Sequence, residues 1–232
     1  MTRDHALFLD LDGTLLDFAA TPAEVVVPRD LPRLMADLAA GRDGALAVLS
    51  GRTLADIDAV TGSPLPAGAE HGFVCRDPVG AIHHPIETTA NRPAWRQALC
   101  EAAATMPGVV IEEKQFTLVA HFRRAPVYGP ALHALIDRLI ADDPDVEILA
   151  AAMAWEIRPT GVDKGGALRW FMGRPPFAGR SPVFVGDDTT DEAAIAAARA
   201  LGGVGLHVHR DFAGSTSAVR IWLARAVTAP CR

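Results

Sequence analysis

Lysine is nearly missing from this chain of 232 residues: of its 22 basic residues, only Lys114 and Lys164 are not Arg. In a sequence that writes almost every cation as Arg, a retained Lys marks a place where Arg does not fit. Cysteine is scarce too. Cys75, Cys100 and Cys231 lie far apart, which excludes a CxxC motif and an even disulfide set. A reducing cytoplasm is the expected location. No apolar run approaches the roughly 20 residues of a membrane span. The run within MTRDHALFLDLDG is too short, and too soon interrupted by acids, for a secretory signal. Basic charge is also in deficit: a net charge of -6 offers no surface for nucleic acid and no basic patch for a membrane. Internal repeats and low-complexity tracts are absent as well. What remains is an ordinary globular composition, 50% hydrophobic and 22% charged. The length suffices for one core and a small insert.

Strands and helices alternate through both ends of the sequence. Ala6–Leu9, Ala45–Leu49, Val183–Val185 and Val204–Val208 read as short buried strands. Leu31, Leu34, Met35 and Leu38 recur at helical spacing, with Asp30 as the expected N-cap and Gly41 as the stop. Thr53-x-x-Asp56 resembles a capping box before a helix that ends at Gly62. Glu192–Leu201 and Val219–Val227 read as further helices. This alternation predicts an α/β fold with a Rossmann-like, doubly wound parallel core sheet and helices on both faces. The middle differs. Pro93–Met106 reads as a helix, Val109–Glu113 and Thr117–Arg123 as a hairpin, Leu132–Ile140 as a helix, and Val146–Ala150 and Met153–Arg158 as a second strand pair. Helix–strand–strand repeated twice predicts an inserted α+β cap. Residues 1–87 and 163–232 are then the catalytic core, and residues 88–162 the cap.

Three of the core strands end in polar residues. The first runs into Asp10-Leu11-Asp12-Gly13-Thr14, the second into Ser50-Gly51-Arg52, and the third into Gly186-Asp187-Asp188-Thr189-Thr190-Asp191-Glu192. Ligands of doubly wound sheets bind beyond the carboxyl ends of the strands, so these groups are expected to converge. Asp10, Asp12, Asp187, Asp188 and Asp191 would crowd together, and like charges at close range need a cation between them. An all-oxygen donor set suits a hard ion, Mg²⁺. Ser50, Lys164 and N–H groups near Gly13 and Gly51 can hold phosphate oxygens. Asp10 can attack phosphorus as a carboxylate nucleophile. Asp12 can protonate the leaving oxygen and then deprotonate water. Each piece alone is an ordinary turn or cap residue, and Asp191 reads equally as the cap of the Ala-rich helix. The joint order of DxDGTL, SGR, Lys-Gly-Gly and GDDxxDE is what points to phosphate chemistry.

These stretches resemble the haloacid-dehalogenase-like superfamily of phosphohydrolases. Within it, Ile111-Glu112-Glu113-Lys114-Gln115 with His121-Phe122-Arg123 is similar to the lid signature of trehalose-6-phosphate phosphatases. So are Trp155-Glu156-Ile157-Arg158-Pro159, Glu70-His71-Gly72 and GDDTTDE. The resemblance implies that Asp10 is the nucleophile and Asp12 the acid/base. It implies that Asp10, Asp12 through its main-chain oxygen, and Asp187 hold Mg²⁺, with Asp188 also assigned to the metal and Asp191 nearby. Ser50 and Lys164 would bind phosphate, Glu112, Lys114, Arg123 and Glu156 would grip the sugar, and Arg52 and His71 would line the pocket. The implied reaction is Mg²⁺-dependent hydrolysis of trehalose 6-phosphate in trehalose biosynthesis, by a cytoplasmic protein whose partner is a small sugar phosphate and whose state is compatible with a monomer. The segment His207-Val208-His209-Arg210 departs from the family pattern.

Rival readings keep part of this. A phosphatase of sucrose 6-phosphate or mannosyl-3-phosphoglycerate shares the chemistry. A phosphotransferase or mutase would release no free phosphate. A non-catalytic sugar-phosphate sensor would lack the DxD or the Lys, and a dehalogenase needs no acid like Asp12. On the cap, alternation puts Leu118, Ala120 and Phe122 on one face and Val119, His121 and Arg123 on the other. Glu113 reads as a solvated ion-pairing residue. The remaining His and Trp residues read as surface or packing groups.

Overall fold

A computed structural model describes residues 4–18, 25–84, 91–114, 116–151 and 153–228. Gln115 and Cys231 lie outside the described residues. The chain forms two compact units, Met1–Pro85 with Val162–Arg232, and Ile86–Gly161.

The first unit contains β1 (His5–Leu9), α1 (Leu31–Ala40), β2 (Leu46–Leu49), α2 (Leu54–Thr61), β3 (Ala67–Ala69), β4 (Val74–Arg76) and β5 (Ile82–His83). The second contributes α3 (Arg92–Ala104), β6 (Val110–Glu113), β7 (Leu118–His121), α4 (Gly129–Ile140), β8 (Val146–Ala151) and β9 (Ala154–Pro159). The chain then returns to the first with α5 (Lys164–Met172), β10 (Ser181–Gly186), α6 (Glu192–Ala200), β11 (Val204–His207), α7 (Val208–Asp211) and α8 (Thr216–Thr228).

The core sheet has the order β11-β10-β1-β2-β3-β4-β5. It is parallel from β11 to β3 and antiparallel beyond. Its central strands are apolar on both faces, as a doubly covered sheet requires. Phe8, Ala47, Leu49 and Phe184 pack with Leu168 and Phe171 of α5 and Ile195 of α6. The alternate residues Leu7, Leu9 and Val48 are equally buried, so the opposite face is covered as well. In register, Leu9 faces both Val185 and Val48. The three polar strand ends therefore emerge along one edge.

The second unit is a four-stranded antiparallel sheet, β6-β7-β9-β8, backed by two helices. Trp95, Leu99, Leu132 and Ile136 pack on Leu118, Ala120, Phe122 and Ile157. The expected alternation along β7 holds: its helix-facing residues are the predicted ones.

Some local expectations differ. Asp30 precedes α1 but its side chain makes no capping bond, and its backbone is already helical. Helix α5, which the sequence pattern does not mark, starts at Lys164-Gly165-Gly166, where two glycines are poor helix formers. Asp163 offsets this by accepting the Gly166 N–H at 2.6 Å as a true N-cap. Strands β3 to β5 are too short to show a period. Among the described residues no helix is long and apolar enough to cross a membrane.

Candidate active site

The site is built from the loop after β1 outward. Asp10 leaves β1 with its N–H bonded to the Val185 carbonyl, at 3.0 Å, and the residue is 4% exposed. Lys164, the first residue of α5, is equally buried. Its ammonium donates to Asp10 Oδ1 at 2.8 Å and to Asp191 Oδ1 at 2.6 Å. One cation is thus shared by two buried acids, from segments 154 and 27 residues away. Asp191 Oδ2 accepts the Asp187 N–H at 2.8 Å and the Asp188 N–H at 3.2 Å, which ties the turn after β10 to the same cluster. Thr14 donates its hydroxyl to Asp187 Oδ1 at 3.5 Å. Oxygens of Asp10, Asp187 and Asp191 all lie within 4.8 Å of one another.

Space here is so tight that glycine is required. A Cβ on Gly13, whose φ is +75°, would sit 2.0 Å from Asp187 Oδ2, and one on Gly186 would sit 2.4 Å from Asp191 Cγ.

The electrostatics follow from this crowding. Burial raises the Asp10 carboxyl above the usual carboxylate range, with Lys164 opposing and Asp191 adding to the rise. Asp187 is pushed up to about 6, by burial first and then by Asp191 and Asp188. Burial alone would lower Lys164, but Asp10 and Asp191 win and hold it above its ordinary value. A cluster of this kind resists carrying all its negative charge without a further cation.

Asp12, two residues on, belongs to a different pair. Its carboxylate accepts Arg52 Nε at 2.7 Å and Arg52 Nη2 at 2.6 Å, a bidentate fork. The buried Ser50 hydroxyl accepts the Arg52 N–H at 3.2 Å. The Ser50 carbonyl accepts the His71 N–H at 2.9 Å, and the His71 ring lies against Gly51. Glu70 and His71 both have positive φ, 48° and 61°, an uncommon pair of left-handed non-glycine residues behind the Ser50–Arg52 turn.

The structure therefore gathers Asp10, Asp12, Ser50, Arg52, His71, Lys164 and Asp187 at the strand ends. Asp188 is not one of the three clustered acids. Its carboxylate caps the following turn, accepting from Thr190 N–H and hydroxyl and from Asp191 N–H. Asp191 answers reciprocally and is drawn inward by Lys164, so it is the third member of the acid cluster and makes no side-chain cap to α6. The sequence alone does not show its pairing with Lys164. The signal available is the separation of the acids in GDDxxD, which puts the first and last on the same side of a turn.

In the second unit, Glu112 of β6 is opposite Val119 of β7, which is opposite Glu156 of β9. Glu112 Oε2 and His121 Nε2 are hydrogen-bonded at 2.8 Å. Lys114 Nζ is 3.9 Å from Glu156 Oε1, and Glu156 is 8% exposed. Glu113 pairs with Arg96 at 2.6 Å, the role expected of it. Arg123 is exposed and lies beyond the His121 end of β7, whereas Lys114 lies beyond the Leu118 end. The sheet thus pairs Lys114 with Glu156, and Glu112 with His121.

Comparison with known proteins adds the following. Residues 8–220 match the family model described as trehalose-phosphatase. A protein of Sinorhizobium fredii named "Probable trehalose-phosphate phosphatase" is 41% identical over 205 residues, covering 88% of this chain and 77% of its own. The trehalose-6-phosphate phosphatase of Escherichia coli is 36% identical over 210 residues, covering 90% and 79%. Among solved structures, the C-terminal domain of Candida albicans trehalose-6-phosphate phosphatase has a TM-score of 0.74 at 20% identity, covering 99% of this chain and 93% of that one. A haloacid dehalogenase-like hydrolase from Bacteroides thetaiotaomicron has a TM-score of 0.65 at 13% identity, covering 95% and 98%. Both share this fold.

Proposed function

The chain belongs to the trehalose-phosphatase family, and from that premise we propose that it hydrolyses trehalose 6-phosphate to trehalose and phosphate through an aspartyl phosphate on Asp10. The observation that carries this reading is the buried Asp10–Lys164–Asp191 cluster beside the Arg52-held Asp12. It joins a nucleophile, a phosphate-binding cation and an acid/base group at one sheet edge.

The donor set fits Mg²⁺: three buried carboxylates within 4.8 Å of one another, oxygen atoms only, all three pushed up by burial and so resisting ionisation. Asp10, Asp187 and the main-chain oxygen of Asp12 would hold the ion, with Asp191 beside them and Asp188 in the adjoining turn. When bound, Mg²⁺ supplies positive charge that keeps the carboxylates ionised and offsets the charge of the phosphate.

Lys164, the Ser50 hydroxyl and N–H groups near Gly13 and Gly51 hold the phosphate oxygens. An Asp10 oxygen attacks phosphorus as the bond to the sugar oxygen breaks. Asp12 gives its proton to that oxygen, so trehalose departs as a neutral alcohol. The Asp12 carboxylate then takes a proton from water, whose oxygen attacks the aspartyl phosphate and releases inorganic phosphate. Both residues return to their starting forms. The Arg52 fork orients the Asp12 carboxyl. Arg52 itself lines the pocket beside that carboxyl.

Glu112, Lys114, Arg123 and Glu156 bind the sugar hydroxyls, with His71 at the pocket wall. We place the reaction in the cytoplasm, within trehalose biosynthesis. Phosphate release from trehalose 6-phosphate, glucose 6-phosphate, sucrose 6-phosphate and mannosyl-3-phosphoglycerate tests the assignment, each with Mg²⁺ and with chelator. Rapid release from trehalose 6-phosphate alone, lost on chelation, is the expected result. Equal turnover of another sugar phosphate overturns the substrate, and full activity after exhaustive chelation overturns the metal.

A further inference from the structure

The loop that carries Asp12 is not held by the sheet alone. Between Leu11 and Leu16 it closes on itself: the Leu11 carbonyl accepts the N–H groups of Thr14, Leu15 and Leu16 at 3.2, 2.8 and 2.9 Å, and Gly13 N–H donates to the Leu16 carbonyl at 2.8 Å. Asp12 and Leu16 form an isolated β-bridge. Whatever displaces Leu15 or Leu16 therefore displaces Asp12.

The far side of this loop is gripped by α8, some 200 residues later. Arg220 Nη1 donates to the Leu15 carbonyl at 2.6 Å and to Thr216 Oγ1 at 3.1 Å. Thr216 Oγ1 in turn donates to Asp17 Oδ1 at 2.5 Å. The clamp has firm footing, because Val219 and Leu223 on the same helix are fully buried and Thr216 is 7% exposed. A charge-assisted bond to a carbonyl of a fully buried residue is worth more than a surface contact. None of these groups reaches the acid cluster itself.

We propose that Arg220 and Thr216 are positioning residues for Asp12: they fix the Leu11–Asp17 loop so that the acid/base carboxyl meets the leaving oxygen. The proposal rests on the acid/base role of Asp12 under Proposed function. Its signature is specific, since a misplaced general acid harms poor leaving groups and spares good ones. A displacement of order 1 Å can cost about 10²-fold in rate. Arg220→Ala is therefore expected to lower kcat on trehalose 6-phosphate by about 10- to 100-fold with little change in KM. On an aryl phosphate, whose phenolate leaves without help, the loss should be only slight. Arg220→Lys keeps a cationic donor and should recover most of the activity. Thr216→Val removes the hydroxyl at nearly constant volume and should give the same selective loss, more weakly.

The decisive measurement is kcat on both substrates for these three variants, with Asp12→Asn as reference and thermal melting for each. Asp12→Asn must itself show the selective loss; if it does not, the acid/base reading falls and the inference falls with it. If Asp12→Asn shows it and Arg220→Ala and Thr216→Val lose activity equally on both substrates, or lose melting temperature alone, the inference is overturned while the reading of Asp12 stands.

Discussion

At Asp10 the chemistry and the cost of folding meet in one carboxyl group. A buried carboxylate with one shared ammonium for a partner is expensive, because Asp191 claims the same Lys164. In our proposal, the same desolvation that makes the group costly also strips water from the nucleophile, and Lys164 lies where the phosphate would land. Lysine suits this position: a compact ammonium reaches both acids from the first turn of a helix, where a flat guanidinium of greater width would have to displace one. Asp10→Asn preserves size and removes the attacking oxygen's charge. Phosphate monoesters are among the slowest compounds to hydrolyse unaided, so activity should fall to near background. In chelator the variant should melt no lower than the parent, since a crowded charge has gone. Phosphate release and thermal melting together check this; retention of most activity removes Asp10 as nucleophile.

Among the elements, legibility tracks the length of the pattern. The strands β1, β2 and β10 are apolar runs that end in DxD, SGR and GDD, so both their burial and the edge they share can be read. The helix α5 cannot, because Lys-Gly-Gly argues against a helix until the Asp163 cap and its packing are seen. Gly165 is what that packing demands: a Cβ there would lie 2.5 Å from the Ala193 carbonyl of α6. The separate roles of Asp188 and Asp191 are hidden for the same reason, since which of two neighbouring acids turns inward depends on a single 3₁₀ turn (Thr189–Asp191). In the second unit the hairpin β6–β7 is legible from alternation. What holds its turn is not: Arg92, from the first turn of α3, donates to the carbonyls of Lys114 and Thr117. The hairpin and β9 carry the sugar selectivity in our reading. A site built to bind hydroxyls rejects ligands that leave its polar groups unpaired. Lys114→Ala and Glu156→Ala should thus lower kcat/KM on trehalose 6-phosphate by roughly 10- to 100-fold per lost charged contact, and leave aryl phosphate turnover mostly intact. Parallel losses on both substrates would move these residues out of sugar recognition.

For the whole molecule, the acid cluster couples protonation to stability and, in our proposal, to metal binding. Without metal, the folded Asp187 carboxyl titrates near 6 against an ordinary value of 3.8, and Asp10 is raised too. Between those limits the folded state binds more protons than the unfolded one, so stability falls as pH rises. For Asp187 this loss is complete once pH is well above 6. The penalty is absent below about pH 4, where both states are protonated. In our reading a divalent cation reverses this, because it would bind the ionised cluster, which only the folded chain assembles. Melting curves in chelator and in excess Mg²⁺, at pH 5, 6, 7 and 8, should therefore diverge. The chelated protein should lose melting temperature steadily across the series, and the gain from Mg²⁺ should grow with it. Asp187→Asn should flatten both trends, since it removes one titrating group and one charged metal donor together. A gain from Mg²⁺ that is the same at pH 5 and pH 8 would mean that the ion does not sit on these carboxylates, and the metal would have to be sought elsewhere in the chain.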